Sequence, residues 1–240
     1  VSQSPETAGD ARGAAADDGT DAADTLTGDL ARAAARVFGD RLDTAREYHR
    51  MLATTGSERG FIGPREVPRL WSRHILNCAV AGEAIESGAR VTDVGSGAGL
   101  PGIPLAIARP DLKIVLLEPL LKRSNFLHDV VRELSLDNVT VARGRAEEKN
   151  IRRALPAADV VTSRAVAPLG KLTRWSLPLA KRGGAMVAMK GTSVAEELER
   201  DAREIAAAGG TDAEILTVGE DVLAEPTTLI RIVRGTDRVH

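Results

Sequence analysis

The 240-residue chain holds a single cysteine, Cys78, which excludes an internal disulfide framework, and no apolar run approaches the length of about 18 residues that a membrane span needs. Hydrophobic residues make up 43% and aromatics only 2%, so a sizeable core must be built from Ala, Val, Leu and Ile rather than from rings. The net charge of −2 hides an asymmetry, because residues 1–30 carry seven acids and one base while the rest carries 31 bases and 27 acids. A mildly basic body behind an acidic tail is compatible with an RNA partner and does not require one. The N-terminus lacks the basic-then-apolar order of a signal peptide, and with the lone cysteine this predicts a soluble, cytoplasmic protein.

Residues 1–27 are Ala, Asp, Gly, Ser and Thr with almost nothing large and apolar, so they bury too little to offset ordering entropy and are predicted to be a disordered acidic tail. Residues 28–88 read as a small helical region. Leu30, Ala33, Ala34, Val37 and Phe38 share one face of a first helix. Gly39 interrupts it, and Leu42, Ala45, Tyr48, His49 and Leu52 predict a second helix ending near Gly56. A third helix is expected over residues 65–85, with Pro64 and Pro68 at its start. Arg65, Arg69 and Arg73 would recur on one face of it, as an exposed surface or an RNA-contacting stripe.

After Gly88 the rhythm changes. Strand-like runs at 91–94, 113–118, 139–142, 159–163 and 185–190 alternate with amphipathic stretches, which predicts a parallel sheet with helices on both faces. Two further runs, 213–218 and 227–233, are joined too closely for a crossover helix and predict an antiparallel pair closing the sheet edge. The expected organisation is a sheet domain over 89–235 and a short tail, 236–240. Trp71 and Trp175 read as packing residues, and His49 and His74 have no partners at metal-ligand spacing, so no metal is expected.

The chemistry-bearing segment is Asp93-Val94-Gly95-Ser96-Gly97-Ala98-Gly99-Leu100-Pro101-Gly102, where the first strand turns into a helix. Two cofactors suit such a loop. Gly97, Gly99 and Gly102 fit the dinucleotide pattern, with Glu118 where a ribose-binding acid belongs. Alternatively, Asp93, Gly95, Gly97 and Gly99 form the acidic-x-Gly-x-Gly-x-Gly pattern of class I methyltransferases, with Glu118 as the acid ending the second strand. A carboxylate beside the loop repels a pyrophosphate and attracts an ammonium, which favours the second reading. A tight turn without ligand remains the plain structural alternative.

The chain resembles the bacterial small-subunit rRNA methyltransferase G family, also called glucose-inhibited division protein B. The resemblance spans about residues 30–235. It rests on Arg73-His74-Ile75-Leu76, on the loop extended through Ile103-Pro104-Leu105, on Leu121-Lys122-Arg123, on Ser163-Arg164-Ala165 and on Met189-Lys190-Gly191. Ile62-Gly63-Pro64-Arg65-Glu66 with Leu70-Trp71 is similar to actinobacterial members. The acidic tail is not part of the pattern, and Glu118 stands where many members carry Asp.

The resemblance implies a class I, Rossmann-like methyltransferase with a mostly parallel seven-stranded sheet. It also implies methylation of guanine N7 in the 530 loop of 16S rRNA by S-adenosylmethionine, with 16S rRNA, the small ribosomal subunit or its precursor as partner. Under it, Gly95 and Leu100 border the methionine end of the cofactor, near which the class I pattern puts Asp93, with Gly97 and Gly99 as further cofactor-binding loop residues. Glu118, Pro119 and Leu120 line its ribose and adenine, Ala146 and Glu147 its adenine edge, and Arg164 faces cofactor and substrate.

Guanine N7 carries a lone pair and no proton, so its methylation needs alignment rather than a general base. The residues suit that requirement. Ser163-Arg164-Ala165 occupies the place where an amine methyltransferase carries Asn-Pro-Pro-Tyr, and Cys78 precedes the loop, wrongly placed for a C5-cytosine nucleophile. Arg164 is the candidate positioning residue, through a bidentate bond to guanine O6 or to a phosphate. Arg73, His74, Lys122, Arg123 and Lys190 are RNA-contact candidates, with a solvated helix start the plain alternative for Lys122 and Arg123. The competing functions are a small-molecule methyltransferase with the N-terminal helices as a lid, an NAD-dependent oxidoreductase, and a non-catalytic RNA-binding module. A monomer is the default.

Overall fold

The computed structural model describes residues 26–164 and 166–236. The expected acidic tail therefore lies outside the described residues except for Leu26 and Thr27, and the C-terminal tail except for Thr236.

The amphipathic spacing of the first segment gives α1 (Gly28–Phe38), which buries Ala33, Ala34 and Phe38 and carries Asp29 in its first turn, where the helix dipole favours an acid. Gly39 ends it at φ +51°, a left-handed value that glycine adopts without strain. The next segment, α2 (Leu42–Met51), buries Ala45, Tyr48 and Met51 and runs on into a π turn at Leu52–Gly56.

The single helix expected over 65–85 is not formed. A 3-10 turn (Val67–Arg69), a π-type segment (Leu70–Ile75), the short α3 (Leu76–Ala79) and a second 3-10 turn (Val80–Ala84) follow one another instead. Pro68 sits at the start of the first turn, a position proline tolerates, so it does not account for the departure from a regular α-helix. The π-type segment buries Leu70, Trp71, His74 and Ile75 together. The arginine stripe is lost with the helix: Arg65 precedes the first turn, Arg69 and Arg73 lie in turns of different pitch, and all three are exposed. Trp71 is a packing residue, stacked on His49 at 5.1 Å and edge-on to Phe38 at 6.4 Å.

From Arg90 the alternation is as expected: β1 (Arg90–Val94), α4 (Gly102–Ala108), β2 (Lys113–Leu117), α5 (Leu121–Glu133), β3 (Val139–Ala142), α6 (Lys149–Ala154), β4 (Ala158–Arg164), α7 (Leu169–Ser176), β5 (Ala180–Met189), α8 (Val194–Ala207), β6 (Gly210–Val218) and β7 (Thr227–Arg234). The seven strands lie in the order β3-β2-β1-β4-β5-β7-β6. The first five are parallel, and β7 runs antiparallel to both β5 and β6. The terminal pair is thus antiparallel as expected, but its later strand inserts between β5 and β6, so β6 is the edge.

Helices cover both faces. Ala185, Val187 and Leu229 join the core that holds Phe38, Leu52, Trp71, Ile103 and Phe126, while Met186, Ala188, Ile230 and Ile232 pack with Leu169, Leu172 and Ile205 behind the sheet. β5 starts five residues earlier than the apolar run suggested, because its lead Lys181, Arg182 and Gly183 is exposed and lacks the apolar signature. Gly184 is needed there: a Cβ would stand 2.7 Å from the Asp159 carbonyl oxygen, beside the register shift between β4 and β5. Pro101 sits one position ahead of α4.

The helical region is fastened over the far end of the sheet. Arg36 Nη1 donates to the Asp221 carbonyl at 3.0 Å, and Glu83 Oε2 accepts the Gly219 N–H at 3.1 Å. Among the described residues no helix is long and apolar enough to cross a membrane. The strand order switches direction at β1, with β2 and β3 laid on one side and β4 on the other, so the loops after β1 and β4 diverge and open a crevice at the C-terminal sheet edge, where open α/β sheets bind ligands.

Candidate active site

The loop after β1 is shaped by glycines with different reasons for being there. Gly95, Gly97 and Gly99 adopt φ of +71°, +60° and +105°. A Cβ on Gly99 would lie 2.5 Å from Ile103 and 2.9 Å from the Tyr48 hydroxyl, and one on Gly102 would lie 2.2 Å from Leu116 and 2.8 Å from Asp93 Oδ2. These two are fixed by packing beneath the loop. Gly97 is different, since its Cβ would meet nothing nearer than the Gly95 carbonyl at 3.9 Å. That side of Gly97 is open space.

Two carboxylates bracket the loop. Asp93 is fully buried at the end of β1; its Oδ2 accepts the Gly102 N–H at 3.1 Å, while Oδ1 has no hydrogen-bond partner. Burial is the main reason its carboxyl is pushed up to about 7, against the help of Ser96 and the Gly102 N–H. Asp93 thus lies under the loop and braces the start of α4. Glu118, just past β2, is also buried and accepts the Gly97 N–H (2.9 Å) and the Leu120 N–H (2.9 Å). Gly95 and Ser96 donate to the Leu117 carbonyl, so the loop is stitched to the end of β2. Tyr48, fully buried on α2, donates to the Ala98 carbonyl at 2.9 Å and props the loop from the helical side, a contact with no warning in the sequence.

The remaining cofactor candidates gather at the same edge. Pro119 is half-buried, and Leu120 and Leu121 are 49% and 55% exposed, an unusual state for leucine and a ready face for an apolar ring. Leu100 is half-buried, Ala146 is buried, and Glu147 is exposed beside it. S-adenosylmethionine fits this donor set. An open glycine face offers backbone contact, Glu118 is a carboxylate able to accept ribose hydroxyls, and the orphaned Asp93 oxygen leaves an unused acceptor below the loop, a group that a nearby cationic methionine end would favour in its charged form.

Asp93 also makes stability depend on pH. Its folded value lies above the ordinary carboxylate value of 3.8, so the folded state holds the proton more tightly than the unfolded chain does. The Asp93 contribution to stability is therefore full below about pH 4, falls as pH rises by up to about 1.4 kcal/mol per unit, and levels above about 7. The Asp93→Asn variant, which does not titrate, is expected to gain on the native protein across that window in cofactor-free denaturant unfolding from pH 5 to 8. Parallel stability curves for the two would contradict it.

Arg164 ends β4 and is held by the helical region. Its guanidinium donates to His74 Nδ1 and to Cys78 Sγ, the latter at 3.5 Å. Nδ1 must then be unprotonated, so the His74 proton lies on Nε2 and is donated to Glu66 Oε2 at 2.7 Å. Burial and the adjoining Arg164 charge both lower the His74 pKa, in keeping with a neutral ring. Cys78 is fully buried and its thiol is pushed up to about 11 by burial, which leaves it a packing residue rather than a nucleophile. Two residues beyond Arg164, the Val166 side chain stands 3.0 Å from where a Gly95 Cβ would be, so the end of β4 touches the loop after β1.

The RNA-contact candidates divide. Arg73 is exposed and, with His74 and Arg164, lines a cleft of about 630 Å³ between the helical region and residues 222–225. Lys122 is exposed and Arg123 half-buried at the start of α5. Lys190 is committed elsewhere: its Nζ donates to Glu197 at 2.7 Å and to the Ala167 carbonyl at 3.1 Å, which ties the loop after β4 to α8. Among the described residues no three His, Cys, Asp or Glu side chains gather where they could hold a metal ion.

Comparison with known proteins adds an independent finding. The family profile GidB, described as rRNA small subunit methyltransferase G, matches residues 41–224. Curated relatives named ribosomal RNA small subunit methyltransferase G include one from Corynebacterium glutamicum, 69% identical over 84% of this chain and 91% of its own length, and one from Mycobacterium marinum, 51% identical over 89% and 93%. Among solved structures, M. jannaschii TYW2 in complex with AdoMet matches with a TM-score of 0.50 at 18% identity, over 68% of this chain and 76% of that one, a likeness of fold alone. The fold is that of the class I methyltransferases, as expected.

Proposed function

Since the chain belongs to the rRNA small subunit methyltransferase G family, whose activity is methyl transfer to ribosomal RNA, we propose that it methylates N7 of a guanine in the 530 loop of 16S rRNA. The methyl donor is S-adenosylmethionine, which supplies an electrophilic sulfonium methyl group when bound. The observation that carries the reading is Arg164, a permanently charged fork at the end of β4, next to the cofactor loop and flanked by groups unfit as bases.

The residues act by placement. Gly95, Gly97 and Leu100 hold the methionine end, and Glu118, Pro119, Leu120, Ala146 and Glu147 the nucleoside. Asp93 and Tyr48 keep the loop in shape from below. Arg164 orients the guanine through O6, or a neighbouring phosphate, so that N7 approaches in line. No proton has to leave N7, and the chemistry around Arg164 matches: His74 is a neutral ring spent on two hydrogen bonds, and Cys78 keeps its proton. Arg73 and Lys122, both exposed, and the half-buried Arg123 are the candidate cations for RNA phosphates.

Small subunits from a strain lacking this gene, incubated with the protein and methyl-labelled S-adenosylmethionine, are expected to take label into 16S rRNA. Label entering a metabolite while the subunits stay unlabelled would favour the small-molecule alternative.

A further inference from the structure

The cleft beside Arg164 has the chemistry of a nucleobase pocket. Its 630 Å³ lie in the range of small-ligand sites. Leu30, Ala33, Val222 and Leu223 supply apolar walls for a flat ring. Five charged residues line it, Asp29, Glu66, Arg73, Arg164 and Glu225, and among them the Arg164 guanidinium and the Glu66 carboxylate are joined through His74 by hydrogen bonds on its two ring nitrogens. The contact with Glu66 uses Oε2 and leaves the other oxygen without a partner in this chain of bonds. A donor and an acceptor are thereby held in fixed order along one wall, next to the strand end that touches the cofactor loop.

We propose that this cleft receives the target guanine, with Arg164 donating to O6 and Glu66 accepting from the N2 amino group. The proposal rests on the guanine-N7 reading above and names a specificity residue for it. Guanine carries O6 as an acceptor and N1–H and N2–H as donors along one edge, which matches guanidinium followed by carboxylate. Adenine presents an amino group where guanine has O6 and no amino group at C2, so it meets a donor with a donor and leaves the carboxylate unpaired. N7 neighbours O6 on the purine, so a guanidinium that holds O6 fixes N7 beside the end of β4. His74 acts through the other two, as the positioning residue that sets their order.

The test replaces one hydrogen-bonding group on each side. Small subunits are reconstituted with 16S rRNA carrying guanosine or inosine, which lacks only the N2 amino group, at the methylated position. The native protein is expected to prefer guanosine over inosine by roughly ten- to a hundredfold in kcat/KM, the effect of one hydrogen bond to a charged group. In Glu66→Gln the amide oxygen still accepts from His74, which preserves the wall, while its NH2 faces the N2 amino group donor to donor. The preference is expected to vanish or invert, with S-adenosylmethionine affinity unchanged. An undiminished preference in the variant, or none in the native protein, would overturn the proposal. Absence of N7-methylguanine in the native reaction is a separate result and would overturn the reading beneath it.

Discussion

Replacing Arg164 by alanine is expected to lower kcat/KM for methyl transfer to the small subunit about a hundredfold, with S-adenosylmethionine affinity little changed. The magnitude follows from losing a charge-assisted, two-pronged contact that sets the approach of the nucleophile, where a displacement of about 1 Å is enough for a hundredfold loss. Structure alone also depends on this side chain, because His74 Nδ1 and Cys78 would lose their donor. The two roles separate by measurement. Arg164→Lys keeps the charge but not the fork, and is expected to recover stability to a greater extent than turnover. Full activity in the alanine variant would remove Arg164 from the mechanism.

The second large effect lies in the loop after β1, where two glycines should fail in opposite ways. Gly102→Ala brings a methyl group to 2.2 Å from Leu116 and 2.8 Å from Asp93 Oδ2, both buried, and is expected to cost about 3 kcal/mol of stability as the start of α4 is pushed off. Gly97→Ala meets open space, so its stability cost is limited to the left-handed backbone, about 1–2 kcal/mol. Its new methyl group stands in the open space beside the loop, and if the cofactor lies against that side, a tenfold or greater loss of S-adenosylmethionine affinity is expected. Calorimetric titration with the cofactor, alongside denaturant unfolding, measures both. Native affinity in a folded Gly97→Ala protein would show that the cofactor does not lie against that face.

How much of this was legible in the sequence depends on whether the signal was local. The β1 loop was, because alternate glycines after an apolar run and an acid ending each of two strands are read within a few residues of one another. The sheet was largely legible from its apolar runs, and failed where a strand is led by exposed Lys181, Arg182 and Gly183. The segment from Val67 to Ala84 was misread as one helix, because a 3.6-residue period cannot distinguish α from π spacing over so few turns. The contacts that define the site were out of reach. Tyr48 with Ala98, His74 with Arg164 and Arg164 with Cys78 join residues 50, 90 and 86 positions apart, and nothing in local spacing encodes such pairs. Lys190 shows the opposite case, a motif residue at the right sheet edge whose charge is consumed by Glu197.

The helical region holds both the loop above Asp93 and the Arg164 side chain. Tyr48 shapes the loop above Asp93, and His74 and Cys78 aim the guanidinium at the end of β4, so the segments before β1 complete a site that the sheet only begins. A lid over a small-molecule pocket would not need to grip the strand-end arginine from behind.

The most direct measurement is to locate the transferred methyl group. Small subunits methylated by this protein are treated with borohydride and aniline, which cleave RNA at N7-methylguanine, and the 16S rRNA is read by primer extension. A single new stop within the 530 loop, absent when the protein or S-adenosylmethionine is omitted, is the predicted result. Incorporated label with no such cleavage would mean methylation at another atom, and would contradict the assignment of guanine N7.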